Sequence, residues 1–148
     1  MTTHAPTALV TGATSGIGEI TAKELARRGH TVLITARDAR KGEATLGALR
    51  ALNPAAPHEV HVGDLSVMGD VRRIALAVRA AHPRLDVLVN NAGGVFVTRE
   101  VTSDGFERTL ALNHLAYALM TELLLDPCAP RAPPGSCRSR PTRTAAAA

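Results

Sequence analysis

The sequence predicts an α/β fold in which a parallel sheet is covered by helices on both faces. Short runs rich in β-branched residues alternate with helix-length segments from residue 8 to residue 125. The run "VLITA" at 32–36 is apolar at nearly every position, as expected of a strand that is covered on both faces. A glycine-rich turn joins the first strand to the first helix. Strands that alternate with helices of this length imply crossover connections between parallel strands.

The hydrophobic pattern and the stop signals place the elements. Strands are predicted at residues 8–10, 31–35, 59–62 and 85–89, and helices at residues 17–28, 41–52, 67–81 and 104–125. Gly29 follows a helix that finishes with two arginines, which is typical of a helix C-terminus. The segment "NPAAP" ends the second helix. Asp104 is the expected N-cap of the last helix, because Glu107 stands three residues further on.

Composition limits the classes of protein that the chain can represent. Its 148 residues suffice for one domain with a core, and since aromatic residues make up only 2%, aliphatic side chains must fill that core. Residues 1–126 carry 13 basic and 13 acidic side chains, so the net charge of +4 comes entirely from the four arginines of residues 127–148. With no basic helical stripe and no aromatic platform, the sequence argues against nucleic-acid binding.

The two cysteines and the N-terminus argue against extracellular and membrane classes. Cys128 and Cys137 lie near the end of the chain, and no histidine follows them, so neither a disulfide framework nor a metal site is expected. The start "MTTHAPTALVTG" lacks the charged and apolar regions of a signal peptide, and no apolar run approaches the length of a membrane span. A cytoplasmic location is therefore expected.

The segment "ALVTGATSGIG" at 8–18 is the most informative part of the sequence. Gly12 would permit a tight turn, Gly16 the close approach of the backbone to a pyrophosphate, and Gly18 the close packing of the helix on the strand. The amides of the helix N-terminus would receive the phosphate charge. A turn with no ligand is the alternative. The order of strand, glycines and helix favours dinucleotide binding.

Arg37 follows the second strand, where the adenosine ribose of a dinucleotide would lie. A carboxylate at the strand end would accept a hydrogen bond from a ribose 2′-hydroxyl and repel a 2′-phosphate, but this chain has Ala36 there and Arg37 next. A guanidinium would form charge-assisted hydrogen bonds with the 2′-phosphate, which favours NADP, although NAD stays possible. The alternative is a solvated loop arginine, and the adjacent Asp38 would weaken the preference.

Four motifs together resemble the short-chain dehydrogenase/reductase family. They are "TGATSGIG" at 11–18, "GDL" at 63–65, "NNAG" at 90–93 and the helix "FERTLALNHLAYALMTELLL" at 106–125. The helix and the segment "ITARD" most resemble the branch of retinol dehydrogenases and protochlorophyllide reductases. The resemblance implies a Rossmann-type doubly wound sheet with strand order 3-2-1-4 in this part. It also implies an NADP-dependent oxidoreductase that interconverts a small-molecule alcohol and a carbonyl, while the oligomeric state stays open.

The resemblance also implies a set of site residues. The cofactor would be bound by Gly12, Thr14, Ser15, Gly16, Ile17, Gly18, Arg37, Asp64, Leu65, Asn90, Asn91, Ala92 and Gly93. Asp64 would meet the adenine amino group, although an Asp between a strand and a helix can also be a simple N-cap. Asn113 matches the helix asparagine that organises a water beside the catalytic groups in this family, which is a supporting role.

The family's acid–base pair is absent from these 148 residues. The family uses a tyrosine, a lysine four residues later that lowers the tyrosine pKa, and a serine that polarises the carbonyl. Tyr117 is the one tyrosine, Thr121 stands four residues on, and both lysines precede the tyrosine. Tyr117 is therefore expected to be a packing residue and the chain to be inactive. A non-catalytic dinucleotide-binding module is the alternative function.

Residues 127–148 differ in composition from the rest of the chain. They contain five of the nine prolines and four arginines but no aliphatic residue larger than alanine, so a disordered tail is expected after a domain at 1–126. In a shifted reading frame with GC-rich codons, residues 135–142 can encode "VVSVSSD", which resembles the family's fifth strand. This favours a frameshift at about residues 126–127 and a truncated oxidoreductase, with a chance effect of GC-rich codons as the alternative. The fourth strand would then be a sheet edge.

Overall fold

A computed structural model describes the backbone of residues 5–128 and the side chains of residues 5–125. The strands are β1 (Thr7–Val10), β2 (Thr31–Ala36), β3 (Glu59–Val62) and β4 (Val87–Val89). The helices are α1 (Gly16–Arg27), α2 (Ala39–Leu52), α3 (Met68–Ala81), the short α4 (Arg108–Leu110) and α5 (Ala116–Cys128), with a π-helix (Ala111–Leu115) between the last two. Every predicted strand and helix is present, with ends that differ by a few residues.

The four strands form one parallel sheet in the order β3-β2-β1-β4, as predicted. In the centre, Leu9 of β1 lies opposite Leu33 of β2 on one side and Leu88 of β4 on the other. The chain places β2 and β3 on one side of β1 and then crosses to β4 on the other side. Within residues 5–128, β4 pairs with β1 alone, so it is the edge strand that the sequence predicts.

Alternate side chains of the central strands fill two separate cores, one on each face of the sheet. On one face, Leu9 and Leu33 pack with buried residues of α3 and α5, such as Ile74 and Leu124. On the other face, the neighbouring strand residues pack with α1 and α2. The strands are apolar on both faces because both faces are covered, and this explains the "VLITA" pattern.

The start of the last helical region differs from the prediction. Asp104 is not its N-cap. Instead, Glu107 accepts hydrogen bonds from the amides of Thr109 and Leu110, both at 2.8 Å. Gly105 adopts a φ of +83°, and the Thr102 amide donates to the Phe106 carbonyl, so this segment turns before the helix begins. The Asp104 carboxylate accepts from the amide of Met68, the first residue of α3, at 2.7 Å.

The end of α5 also differs from the prediction, because the helix continues through Cys128 rather than ending at residue 125. Composition predicts the C-terminal end of a helix poorly, because an existing helix can be extended by residues that would be too unfavourable to start one. The predicted disordered tail therefore overlaps α5 at its first two residues. The rest of that prediction concerns residues 129–148, which lie outside the described residues.

Candidate dinucleotide-binding cleft

A cleft of about 380 Å³ opens at the carboxyl ends of the strands. It lies beside β1, where the strand order changes direction: the chain runs from β1 to β2 on one side and later crosses from β3 to β4 on the other. This is the usual ligand position in open parallel sheets. Most of the residues predicted from the sequence line it. The lining consists of Gly12, Thr14, Ser15, Ile17, Gly18, Thr35, Arg37, Gly63, Asp64, Leu65, Asn91, Ala92, Gly93 and Leu112.

The three glycines of the first turn differ in what surrounds them. Gly12 has a φ of +64°, and a Cβ there would lie 2.7 Å from the Ala92 Cα, so both conformation and space require glycine. A Cβ on Gly18 would overlap the Asn91 amide and lie 2.6 Å from the Gly12 carbonyl oxygen. Gly16 has a φ of +55° and open space where a Cβ would be. A side chain is thus excluded by space at Gly12 and Gly18 but not at Gly16, and the approach of a pyrophosphate to Gly16 stays a prediction.

The N-terminus of α1 lies in the wall of the cleft and has no capping side chain. Ser15 holds the N-cap position in extended conformation, and its side chain makes no capping hydrogen bond. By contrast, α2 has a side-chain cap, since the Asp38 carboxylate accepts from the Lys41 amide at 3.0 Å. An uncapped helix N-terminus leaves donors and a partial positive charge for an anion. The donor set therefore fits a phosphate-bearing cofactor.

Threonines at the strand ends hold the cleft together, and the sequence analysis did not identify them as site residues. Thr11 Oγ1 accepts from the amides of Asn91 and Ala92 at 2.9 and 3.0 Å, and it donates to the Val89 carbonyl at 3.3 Å. Thr35 Oγ1 accepts from the Gly12 amide at 3.0 Å. A hydroxyl residue at the end of a buried apolar strand is the sequence signal that would have found both.

The Asn91 side chain completes the connection between β4 and the glycine turn. Its Nδ2 donates to the carbonyls of Thr11 and Gly12 at 3.0 and 3.2 Å. Two of the predicted cofactor residues, Gly16 and Asn90, are not part of the cleft lining. The Asn90 side chain donates instead to Thr121 Oγ1 of α5 at 3.0 Å. Asn90 therefore joins the edge strand to α5.

Arg37 lies at the far end of the cleft, just beyond β2. Its side chain is exposed and has no hydrogen-bond or ion-pair partner among residues 5–125, so the guanidinium is available to a ligand. The neighbouring Asp38 uses one carboxylate oxygen to cap α2. Its charge is therefore partly balanced by the positive end of that helix, which reduces its opposition to an anion at Arg37.

Asp64 follows β3 and does not cap a helix. Its Oδ1 accepts from the amide and from the hydroxyl of Ser66, at 2.9 and 2.7 Å. The helix begins later, at Met68, with Val67 in the N-cap position. The N-cap alternative for Asp64 is therefore wrong. Leu65, the next residue, is buried and lines the same part of the cleft.

Asn113 lies in the π-helix and fixes the loop that follows the "NNAG" segment. Its Oδ1 accepts from the Gly94 amide at 2.9 Å, and its Nδ2 donates to the Gly94 carbonyl at 2.8 Å. π-helical turns are often found at functional sites. Tyr117 packs one turn later against the core cluster, and burial raises the pKa of its hydroxyl.

The sheet topology and the cleft together are the architecture of a dinucleotide-binding domain. The family model described as short chain dehydrogenase matches residues 6–136. The chain belongs to this family. The match extends beyond residue 125, where the sequence motifs end.

The chain is similar to curated dehydrogenases and reductases. It is 43% identical over 117 residues to retinol dehydrogenase 12 of Bos taurus, a match that covers 79% of this chain and 37% of the relative. It is 40% identical over 131 residues to retinol dehydrogenase 13 of Homo sapiens, covering 86% and 38%. It is 39% identical over 120 residues to the putative daunorubicin C-13 ketoreductase DnrU of Streptomyces sp. (strain C5), covering 81% and 42%. The chain thus spans less than half the length of these relatives.

Solved oxidoreductase structures with bound NADP or NADPH share the fold. A metagenomic short-chain oxidoreductase in complex with NADP is 35% identical, with a TM-score of 0.69, over 80% of this chain and 54% of that one. A short-chain dehydrogenase from Sphingobium yanoikuyae in complex with NADPH is 36% identical, with a TM-score of 0.68, over 80% and 46%. Within residues 5–128, no helix has the length and apolar character needed to cross a membrane.

Proposed function

We propose that this chain binds NADP in the cleft and that the 148 residues by themselves do not catalyse its oxidation or reduction. The observation that carries the binding proposal is the N-terminus of α1, which has no side-chain cap and where a Cβ on Gly16 would meet no atom within 4 Å. In this proposal Gly12, Thr14, Ser15, Gly16, Ile17 and Gly18 surround the pyrophosphate. The similarity to oxidoreductases solved with NADP and NADPH supports the same assignment.

The other predicted residues take the two ends of the cofactor. Arg37 would bind the 2′-phosphate, because its guanidinium has no protein partner among the described side chains. Asp64 and Leu65 would contact the adenine. Asn91, Ala92 and Gly93 would border the nicotinamide end, where Thr11 fixes the backbone of the first two. Asn90 and Asn113 would act indirectly, by holding β4 and the Gly94 loop in place.

The proposed chemistry of the intact family is the interconversion of an alcohol and a carbonyl. When bound, the nicotinamide of NADP accepts or supplies hydride. The protein must then move a proton at the substrate oxygen, and such acid–base assistance is typically worth about 100- to 10,000-fold. Tyr117 does not fit this task, since burial raises the pKa of its hydroxyl further from neutrality and no lysine follows it. We therefore infer cofactor binding without turnover.

The second candidate function is a non-catalytic dinucleotide-binding module that retains or senses NADP. The same uncapped helix supports it, because the donors that receive a pyrophosphate do not depend on the missing pair. The two candidates differ in what a longer or frame-corrected version would do. If the longer or frame-corrected version turns over substrate, the chain is an oxidoreductase by descent. If both that version and the present chain bind the nucleotide without turnover, the binding module is favoured.

The binding proposal is tested by titrating the full chain with NADPH and NADH and following the nucleotide fluorescence. Arg37→Ala should weaken NADPH selectively by about 1.5–3 kcal/mol, the value of a hydrogen bond to a charged group. Arg50→Ala is the matched control, since it removes an exposed arginine from the last turn of α2 that does not line the cleft. Equal losses for both nucleotides would contradict the assignment of Arg37.

A further inference from the structure

A carboxylate outside the cleft holds the backbone at its adenine end. Asp70 lies in the first turn of α3, and its Oδ2 accepts from the Asp64 amide at 2.8 Å. Its Oδ1 accepts from Arg73 Nη2, also at 2.8 Å. The same Arg73 nitrogen donates to the Val62 carbonyl at the end of β3, at 2.8 Å. Asp70 and Arg73 thus bridge the two residues on either side of Gly63.

The space around Gly63 is filled by this bridge. A Cβ on Gly63 would lie 2.9 Å from Arg73 Nη2 and 3.0 Å from the Ile74 Cδ1. The Gly63 amide donates to the Ala36 carbonyl at 2.9 Å, which fixes its other side. The Arg73 hydrogen bond and the Asp64 amide both lower the pKa of Asp70, so its carboxylate is charged at neutral pH. The backbone of this turn is therefore held from three directions.

This arrangement fixes the Asp64 carboxylate and leaves one of its oxygens without a hydrogen-bond partner in the described part of the chain. Ser66 engages Oδ1 twice. Oδ2 has no hydrogen-bond partner among the described side chains and backbone groups, and Asp64 lines the cleft. A carboxylate oxygen is an acceptor only, so its partner in a ligand must be a donor. The exocyclic amino group of adenine is such a donor.

We propose that Asp70 and Arg73 are positioning residues for adenine recognition, acting through the backbone of Gly63 and Asp64. The inference rests on the proposed binding of NADP. The inference adds that the preference for a purine with an exocyclic amino group depends on the Asp70 carboxylate and the Arg73 guanidinium, although neither group lines the cleft.

Simple capping of α3 does not account for Asp70. The Asp104 carboxylate already accepts from the Met68 amide at 2.7 Å, so another carboxylate serves the helix N-terminus. Asp70 directs its hydrogen bonds outward, to the turn after β3 and to Arg73. Asp104 is consequently a matched control, because it also supports the start of α3 but has no hydrogen bond to Asp64.

The experiment compares NADPH with its deamino analogue, in which hypoxanthine replaces adenine and the amino group is absent. The full 148-residue chain should bind NADPH about tenfold more tightly than the analogue, as expected for one hydrogen bond to a charged acceptor. Asp70→Ala should reduce this preference to less than about threefold by weakening NADPH binding alone. Asp104→Ala should keep the wild-type preference even where it lowers stability.

Each outcome decides a separate point. A wild-type chain that binds neither nucleotide overturns the proposed function and this inference together. Equal binding of both nucleotides by the wild type leaves cofactor binding intact and overturns the role of Asp64. An unchanged preference in Asp70→Ala overturns the positioning role. If Asp70→Ala does not fold by circular dichroism, Arg73→Gln replaces it, with a reduced preference expected and an unchanged preference contradicting the proposal.

Discussion

Replacing Gly16 by alanine should weaken cofactor binding and lower stability, whereas the same replacement at Gly29 should lower stability alone. Gly29 is the control because its backbone conformation is similar but it lies at the other end of the same helix. Gly16 and Gly29 have φ values of +55° and +86°, and at both positions a Cβ would meet no atom within 4 Å. Gly16 lies at the N-terminus of α1, beside the cleft, and Gly29 follows the C-terminus of the same helix. The two substitutions therefore impose similar strain at opposite ends of one helix.

The magnitudes follow from the two environments. A left-handed conformation costs an alanine about 1–2 kcal/mol, so both Gly16→Ala and Gly29→Ala should lower the free energy of unfolding by that amount. Only the methyl group of Gly16→Ala enters the space proposed for the pyrophosphate. Overpacking costs about 1–3 kcal/mol, so NADPH binding should weaken by about 5- to 150-fold.

The assay pairs urea unfolding, followed by circular dichroism, with a fluorescence titration of NADPH on each folded variant. Gly29→Ala should bind NADPH like the wild type after correction for any unfolded fraction. Equal loss of NADPH binding in Gly16→Ala and Gly29→Ala would show that backbone strain alone weakens binding. Unaltered NADPH binding by Gly16→Ala would place the pyrophosphate elsewhere. Either result would refute the reasoning.

Two further predictions concern stability. Gly12→Ala should lower the free energy of unfolding by about 2–5 kcal/mol, because overpacking against Ala92 adds to the left-handed strain; a loss no larger than that of Gly29→Ala in urea would contradict this. His58 is buried, accepts from the Val32 amide through Nδ1, and contacts the Asn53 carbonyl through Nε2, and burial lowers its pKa from 6.5. The folded state therefore resists its protonation, so stability should be complete above about pH 6.5 and fall as the pH drops below that value. Burial also lowers the pKa of His61, so His61 contributes to the same pH dependence. His58→Gln should therefore reduce, but not abolish, the loss of unfolding free energy with falling pH, as measured by urea unfolding. An equal pH dependence in the wild type and the variant would contradict the assignment to His58.

The elements that sequence reasoning placed well are those decided by local pattern. The strand at 59–62 has the predicted bounds, and Gly29 ends α1 as expected, with its amide donating to the Ala26 carbonyl at 3.0 Å. The strand order was predicted because glycine turn, "GDL" and "NNAG" resemble a family with a known topology. The steric needs of Gly12 and Gly18 could be predicted because a turn between strand and helix has the same needs in any such fold, whereas the role of Gly16 toward a pyrophosphate stays a prediction.

The features that the sequence did not reveal depend on contacts between distant residues. Asp104 resembles an N-cap of its own helix, but it bonds Met68, which is 36 residues away. The π-helix has no sequence signature of its own, and Asn113 within it bonds Gly94, which is 19 residues away. Thr11 became recognisable as a site residue only when the register placed it beside Asn91.

The central claim is that this chain holds the cofactor but lacks the group that moves the proton. The most direct measurement follows NADPH absorbance with a panel of aldehydes and ketones, using the full chain at concentrations where the fluorescence titration shows bound NADPH. A version translated in the alternative frame after about residue 126, and extended until it contains a tyrosine and a lysine four residues later, serves as the comparison. We expect constant absorbance with the chain as it stands and a decrease with the corrected version. Comparable turnover by both would contradict the account, because some group other than a tyrosine–lysine pair would then deliver the proton.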